Sequence, residues 1–362
     1  MSNYLLSVEA LDPSDNPVTL RFSSGEYIED NNYWMPRIRQ PGLYREGLFA
    51  GQLLPVGRSG YGETVLDNTD GSLDYLVDYA MDGREAILQF VSDTTSTVFT
   101  GTVSRVSFTT TEVSFRLRDP VEPLRQPHPN TRYAGSNVLP NGLEGVQGDI
   151  AGNVKPRLYG TVNNASPVLV NTSKLIYQVS DQDCTVNAVY DNGVELDFDG
   201  DYTNLTELQG MSPDSPQWSN WEPPAGKWRR FQGYIRLGSS PFGEITCDAS
   251  TSSSLAGDVF ESIANDAGFT TNSSDITLLN QEGSISIYVN QETPTINLLD
   301  TIVKSVGAYY RVTQLGVVRA GALEAPSGVA DGVIEDYNIL SISRESSGAG
   351  SNGIPVHRVE MK

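Results

Sequence analysis

The side chains best suited to chemistry sit in a few short segments. Asp197-Phe-Asp-Gly-Asp201 sets carboxylates at alternate positions, as a calcium loop does when it gathers oxygen ligands. Counted from Asp197, the sixth position is not glycine and the twelfth is Leu208 in place of a bidentate glutamate, so a solvated turn is the simpler reading. Lys227-Trp-Arg-Arg-Phe-Gln-Gly-Tyr-Ile-Arg236 interleaves cations with aromatics, a pattern able to grip phosphates and stack on bases. In an acidic chain it reads better as a strand with one aromatic face, or as a contact for an acidic neighbour. Tyr33-Trp-Met-Pro-Arg-Ile-Arg39 carries the same two meanings. Trp218, Trp221 and Trp228 cluster around proline-rich turns. Such a loop can bind sugar or peptide, but more often folds onto its own domain or is buried at a subunit contact.

His128 lies in a proline-rich stretch and His357 near the end of the chain, and neither is accompanied by a Gly-x-Ser-x-Gly nucleophile turn. The sequence holds no Gly-rich phosphate loop with Lys-Ser/Thr and no His-Glu-x-x-His. A carboxylate-pair hydrolase is created by the fold and leaves no local signature, and nothing local argues for one. Cys184 and Cys247 are the only cysteines. With no secretion signal at Met1-Ser-Asn-Tyr-Leu-Leu they are expected as free thiols. The expectation is therefore a protein that is not an enzyme, with no catalytic, cofactor-binding or metal residues and no cofactor.

Forty-five acidic residues against 24 basic ones give a formal charge of -21 in 362 residues. That field repels nucleic acid and anionic membranes, and suits a surface past which DNA must slide without sticking. No apolar run reaches the roughly 18 residues of a membrane span, so no stable membrane anchor is expected. The four Asn-x-Ser/Thr sequons, at Asn164, Asn171, Asn204 and Asn272, read as chance matches in a polar β protein.

The elements that must position these side chains are mostly strands. Frequent Gly and Pro, with many short Thr-, Val-, Tyr- and Ile-rich runs, predict a mainly β protein with a smaller α+β part, in several tube-like barrel or sandwich domains. In Glu112-Val-Ser-Phe-Arg-Leu-Arg, Val113, Phe115 and Leu117 face one way and the polar residues the other. Asp191-Asn-Gly193 is a hairpin turn, because Asn and Gly tolerate positive φ. Leu73–Ala80 suggests a short helix after the Asp67–Ser72 turn. A helix over Leu255–Ala267, with Ser253 or Ser254 as its cap, carries Leu255, Val259, Phe260, Ile263, Ala264 and Ala267 on one face and stops at Gly268. A second begins at Thr293-Pro294, with Leu299, Ile302, Val303 and Val306 as its stripe and Gly307 as its end. The domains expected are an N-terminal β domain over 1–120, an extended connector over 121–157, a β domain over 158–250, an α+β domain over 251–345, and a terminal strand or edge segment over 346–362. The chain is expected to stop in mid-strand.

From about 155 to 345 the order of segments resembles the tail-tip, or baseplate, hub proteins of long-tailed (siphovirus-like) bacteriophages. The residues that carry the resemblance are Lys155-Pro-Arg-Leu-Tyr-Gly-Thr-Val, Val189-Tyr-Asp-Asn-Gly-Val-Glu-Leu, Gly233-Tyr-Ile-Arg-Leu-Gly-Ser-Ser-Pro-Phe-Gly-Glu-Ile-Thr-Cys247, and Ser305-Val-Gly-Ala-Tyr-Tyr with the hairpin after it. The resemblance implies a structural virion protein assembled in the host cytoplasm: a homotrimeric ring joining the tail tube and distal tail protein to a central fibre or tip protein. DNA would pass through it without specific binding. Two other roles are weighed beside it, a receptor- or carbohydrate-binding tail protein and a tail-associated cell-wall hydrolase.

Overall fold

The computed structural model describes residues 2–42, 45–47, 58–60, 62–118, 121–138, 141–210 and 221–322. They belong to one compact unit, Met1–Leu323. The remainder, Glu324–Lys362, lies outside the described residues, and with it the expected boundary at 345 and the terminal strand or edge segment.

The protein is mainly β, with its sheets open and no closed barrel among the described residues. Nine strands of the N-terminal part form one sheet. Asn3–Leu11 lies near its middle, pairing antiparallel with Pro17–Ser23 on one side and Glu85–Val91 on the other. Thr95–Phe108 pairs with Glu85–Val91 through its first half and with Glu112–Leu117 through its second, so it carries the chain around a bend in the sheet. Alternation decides the register, and Val113, Phe115 and Leu117 are all buried as expected. They join Leu6, Val8, Phe22, Leu66 and Leu88 in one core. The expected helix after Asp67–Ser72 is a single 3-10 turn, Asp74–Asp78, with only Leu76 buried.

Residues 121–157 carry short elements of their own. Val121 and Leu124, around the 3-10 turn Glu122–Arg125, enter the core of the α+β part. Pro127–His128 pairs with Thr293–Pro294. The hairpin Ser136–Val138 and Asn141–Val146 sits over the next β domain, where Tyr133 and Leu143 pack with Val170, Ile176, Tyr202 and Leu208.

That β domain is a sandwich. Thr161–Ala165, Ile245–Ser250, Thr185–Asp191 and Val194–Glu195 make a four-stranded sheet. Val168–Asn171, Ile176–Gln178, Tyr234–Leu237, Lys227–Phe231 and Asp197–Asp201 make a five-stranded one. Val186, Val189, Cys247 and Ala249 of the first sheet meet Tyr177, Trp228, Ile235 and Leu237 of the second in a shared core. The Asn-Gly hairpin forms as expected, with φ of 49° at Asn192 and 82° at Gly193.

The α+β part packs three helices on a small sheet of Thr270–Thr271, Val317–Ala322 and Ala308–Val312. Ala256–Asp266 (α1) buries Val259, Phe260, Ile263 and Ala264, while Leu255 sits at its N-cap and is 40% exposed. Ser253 accepts a hydrogen bond from the Leu255 amide at 3.2 Å and bonds to Asp258, so it braces the helix start without capping it. Ser273–Glu282 (α2) was not predicted. Asn272 caps it, and the stripe is short, Asp275, Ile276 and Leu279. Thr295–Ser305 (α3) buries Leu299, Ile302 and Val303 as expected, but Pro294 takes the N-cap position and Thr293 lies in the short strand before it.

Candidate functional site

The two segments singled out for opposite chemistries lie side by side. Asp197–Asp201 pairs parallel with Lys227–Phe231 at the edge of the five-stranded sheet. Asp199 receives Arg229 Nη2 at 2.7 Å and Lys227 Nζ at 3.8 Å, and Arg230 Nε reaches Asp201 at 2.6 Å. Phe198 lies against Trp228, ring centres 4.8 Å apart, and the Arg230 guanidinium stands 4.9 Å from the Phe198 ring centre. Asp199 and Asp201 are thus paired with cations of the neighbouring strand, and the Arg229 and Arg230 guanidiniums lie near the Tyr202 and Phe198 rings. Neither strand presents a free set of metal ligands or phosphate donors. No cluster of three or more His, Cys, Asp or Glu able to hold a metal is found among the described residues.

The tryptophan group divides. Trp228 is 1% exposed and its indole N–H donates to the Leu196 carbonyl at 3.1 Å. Trp221 packs partly buried beside Tyr202, whose hydroxyl donates to the Trp221 carbonyl at 2.6 Å. Trp218 lies outside the described residues. In the other aromatic–basic run, Trp34 is buried, Arg37 pairs with Asp70 at 2.7 Å and Arg39 with Glu112 at 2.7 Å, leaving Tyr33 exposed. Cys184 and Cys247 are free and buried in the sandwich core, and burial pushes both thiols up to about 12, too high for a reactive thiolate. His357 lies outside the described residues.

His128 belongs to a buried polar cluster that no single segment announces. The Arg157 guanidinium binds Asp181 through two hydrogen bonds, Nε–Oδ1 at 2.7 Å and Nη2–Oδ2 at 2.6 Å, and also pairs with Asp266 at the end of α1. Thr131 Oγ1 donates to Asp181 at 2.5 Å. The Tyr159 hydroxyl lies 3.2 Å from Asp266 and 2.7 Å from His128 Nε2. Asp266 only accepts, so the tyrosine proton goes to it, and the tyrosine oxygen takes the Nε2–H of a neutral His128. Residues of the 121–157 segment, the sandwich and α1 therefore share one ion-pair network. Arg157 and Asp181 side chains are 7% and 6% exposed, and His128 is 3% exposed, so no substrate reaches them. Burial would lower the Arg157 affinity for its proton, but Asp181 more than reverses this and holds the guanidinium charged.

Burial, aided by the Arg157 charge, pushes the His128 pKa below its ordinary value, against opposing pulls from Asp266 and Asp181. The sign follows from linkage. As pH falls through the ordinary histidine range the unfolded chain takes a proton that the folded one refuses, so stability is lost. Between pH 7.5 and 5.5 the urea midpoint should fall more steeply for the native protein than for His128→Gln, which keeps a donor to Tyr159. Equal slopes would remove His128 from the acid response.

A third arrangement displays a side chain. The buried Asp191 carboxylate accepts backbone N–H bonds from Phe242 at 2.8 Å and Gly243 at 2.8 Å, which fixes the Gly238–Gly243 loop. Phe242 at its tip is 100% exposed. Beside it lies a cleft of about 350 Å³ lined by Val194, Leu196, Lys227, Leu237 and Pro241 among others. Nothing in the sequence marks this exposure.

No family model matches the chain, and no curated protein does. Among solved structures it is similar to a chain from the virion of a native gene transfer agent particle, at 11% identity, covering 69% of this chain and 78% of that one with a TM-score of 0.25. A likeness of that size assigns neither fold nor role.

Proposed function

We propose that this chain is a structural virion protein, a tail-tip hub ring of a phage-like particle, and not an enzyme. The observation that carries the reading is how its chemically suggestive residues are used. Asp199 and Asp201 pair with Arg229 and Arg230, Trp34 and Trp228 are buried, and the buried Arg157 network ties separate parts into one body. Side chains held in internal ion pairs and cores suit a rigid structural part. The charge of -21 suits a wall past which a polyanion moves, since a basic lining would hold DNA by counterion release. The resemblance of the segment order over 155–345 to tail-tip hubs supports this place in the particle, for which the partners would be copies of itself as a homotrimer, the tail tube and distal tail protein above, and a central fibre or tip protein below.

Electron microscopy of purified particles tests this. The chain should be found as a ring at the distal end of the tail tube with an open, electronegative bore. Its absence from particles, or a bore lined with lysine and arginine, would overturn the reading. The exposed Phe242 beside an apolar cleft favours one second reading, a receptor- or carbohydrate-binding tail protein. Glycan-array binding by the isolated protein, abolished by Phe242→Ala, would favour that role over the ring.

A further inference from the structure

Three cross-strand rungs among the described residues set one arginine directly opposite another. Arg229 faces Arg236, Arg311 faces Arg319, and Arg105 faces Arg116. Like charges opposite one another on a sheet destabilise it unless an anion intervenes. In the first rung Asp199 binds Arg229 at 2.7 Å and Glu222 binds Arg236 at 2.9 Å. In the second, Asp275 takes Arg319 through Oδ2 at 2.6 Å and Oδ1 at 3.2 Å. The third rung differs. Arg105 and Arg116 are both exposed, and neither makes an ion pair among the described residues. Glu63 is the register neighbour of Arg116 on its far side, yet it is not paired with either guanidinium. The rung exists because the register shifts between Val103 and Arg105. Such a bulge re-aims the following side chains, and here it brings Arg105 onto the outward face beside Arg116 while Val103 and Phe115 stay buried.

We infer that the Arg105–Arg116 rung is a contact point for carboxylates of a second copy of this chain. Charge decides the occupant. The chain has 45 acidic and 24 basic residues, so every copy brings an acidic surface. Two guanidiniums on neighbouring strands offer paired forks of donors that match carboxylate geometry. The overall charge opposes a nucleic acid at long range. Between copies, the repulsion of distant charges is largely screened beyond about 8 Å at physiological salt, while a pair in direct contact is screened less and gives way only at higher salt. The inference deepens the ring reading by naming one of its joints.

The experiment is the mass of the full chain in solution against concentration and salt, for the native protein and for Arg105→Glu. That substitution places a carboxylate opposite Arg116 within the same chain. Association should weaken at least tenfold while the thermal midpoint stays level or rises, a pairing of effects that general damage cannot produce. The neutral variant Arg105→Gln/Arg116→Gln should also weaken association, and serves if Arg105→Glu does not fold. For the native protein, 0.5 M NaCl should weaken it too. Native association that is unchanged in the variants, or a native chain that stays monomeric up to about 100 µM, overturns the inference. Tight binding of a single-stranded 30-mer DNA that Arg105→Glu abolishes overturns it in favour of a polyanion site. A native chain that associates through this rung but is absent from particles leaves the contact standing and removes the ring reading alone.

Discussion

Replacing Arg157 by methionine should cost about 3–5 kcal/mol of folding free energy, because it leaves buried carboxylates without a counter-charge. Arg157 and Asp181 side chains are 7% and 6% exposed, and Asp266, 26% exposed, shares the same guanidinium. Methionine keeps much of the volume, so the loss is electrostatic and not a cavity. The urea midpoint at pH 7.5 measures it. The control is Arg157→Met with Asp181→Asn and Asp266→Asn, which removes charge from both sides and should recover most of the loss. Arg157→Lys should fall between, since an ammonium cannot make the two parallel bonds to Asp181. A single variant as stable as the native protein would show that water reaches the cluster and screens it.

That cluster also marks where reading the sequence stops. Its members contact one another across separations of up to 109 residues, and each alone is an unremarkable charge in a polar segment. The same holds for the arginine rungs, which exist only once the register is set. Strands such as Glu112–Leu117 were legible because a sheet with one buried face forces strict alternation. Helices α1 and α3 were legible from their apolar stripes. Helix α2 was not, since Ser273-Ser-Asp-Ile-Thr-Leu-Leu-Asn-Gln-Glu282 buries only three side chains and one of them is Asp275. Asn272 was the available signal, a capping residue before the run. The 121–157 stretch reads as an extended connector because Val121, Leu124, Tyr133 and Leu143 are isolated anchors that enter different cores without any period. The acidic and basic motifs were each seen, and their mutual neutralisation was not, because a parallel pairing of strands about 30 residues apart leaves no local trace.

Trp228 joins the sandwich core to that neutralised edge, and Trp228→Ala should destabilise the protein by about 3–5 kcal/mol, the range for emptying a buried aromatic site. The indole is 1% exposed between the two sheets, touches Phe198 on the edge strand, and donates to the Leu196 carbonyl just before it. Two contributions can be separated. Trp228→Phe retains most of the apolar contact but drops the N–H, leaving the Leu196 carbonyl without that donor at a cost of about 1–3 kcal/mol. Alanine loses both and also releases Phe198, over which Arg230 is held. Chemical unfolding should therefore rank native above phenylalanine above alanine. Hydrogen exchange should show Asp197–Asp201 losing protection in the alanine variant before the Thr185–Asp191 strand does. Equal loss in both strands would mean that Trp228 supports the whole sandwich and has no particular hold on its charged edge.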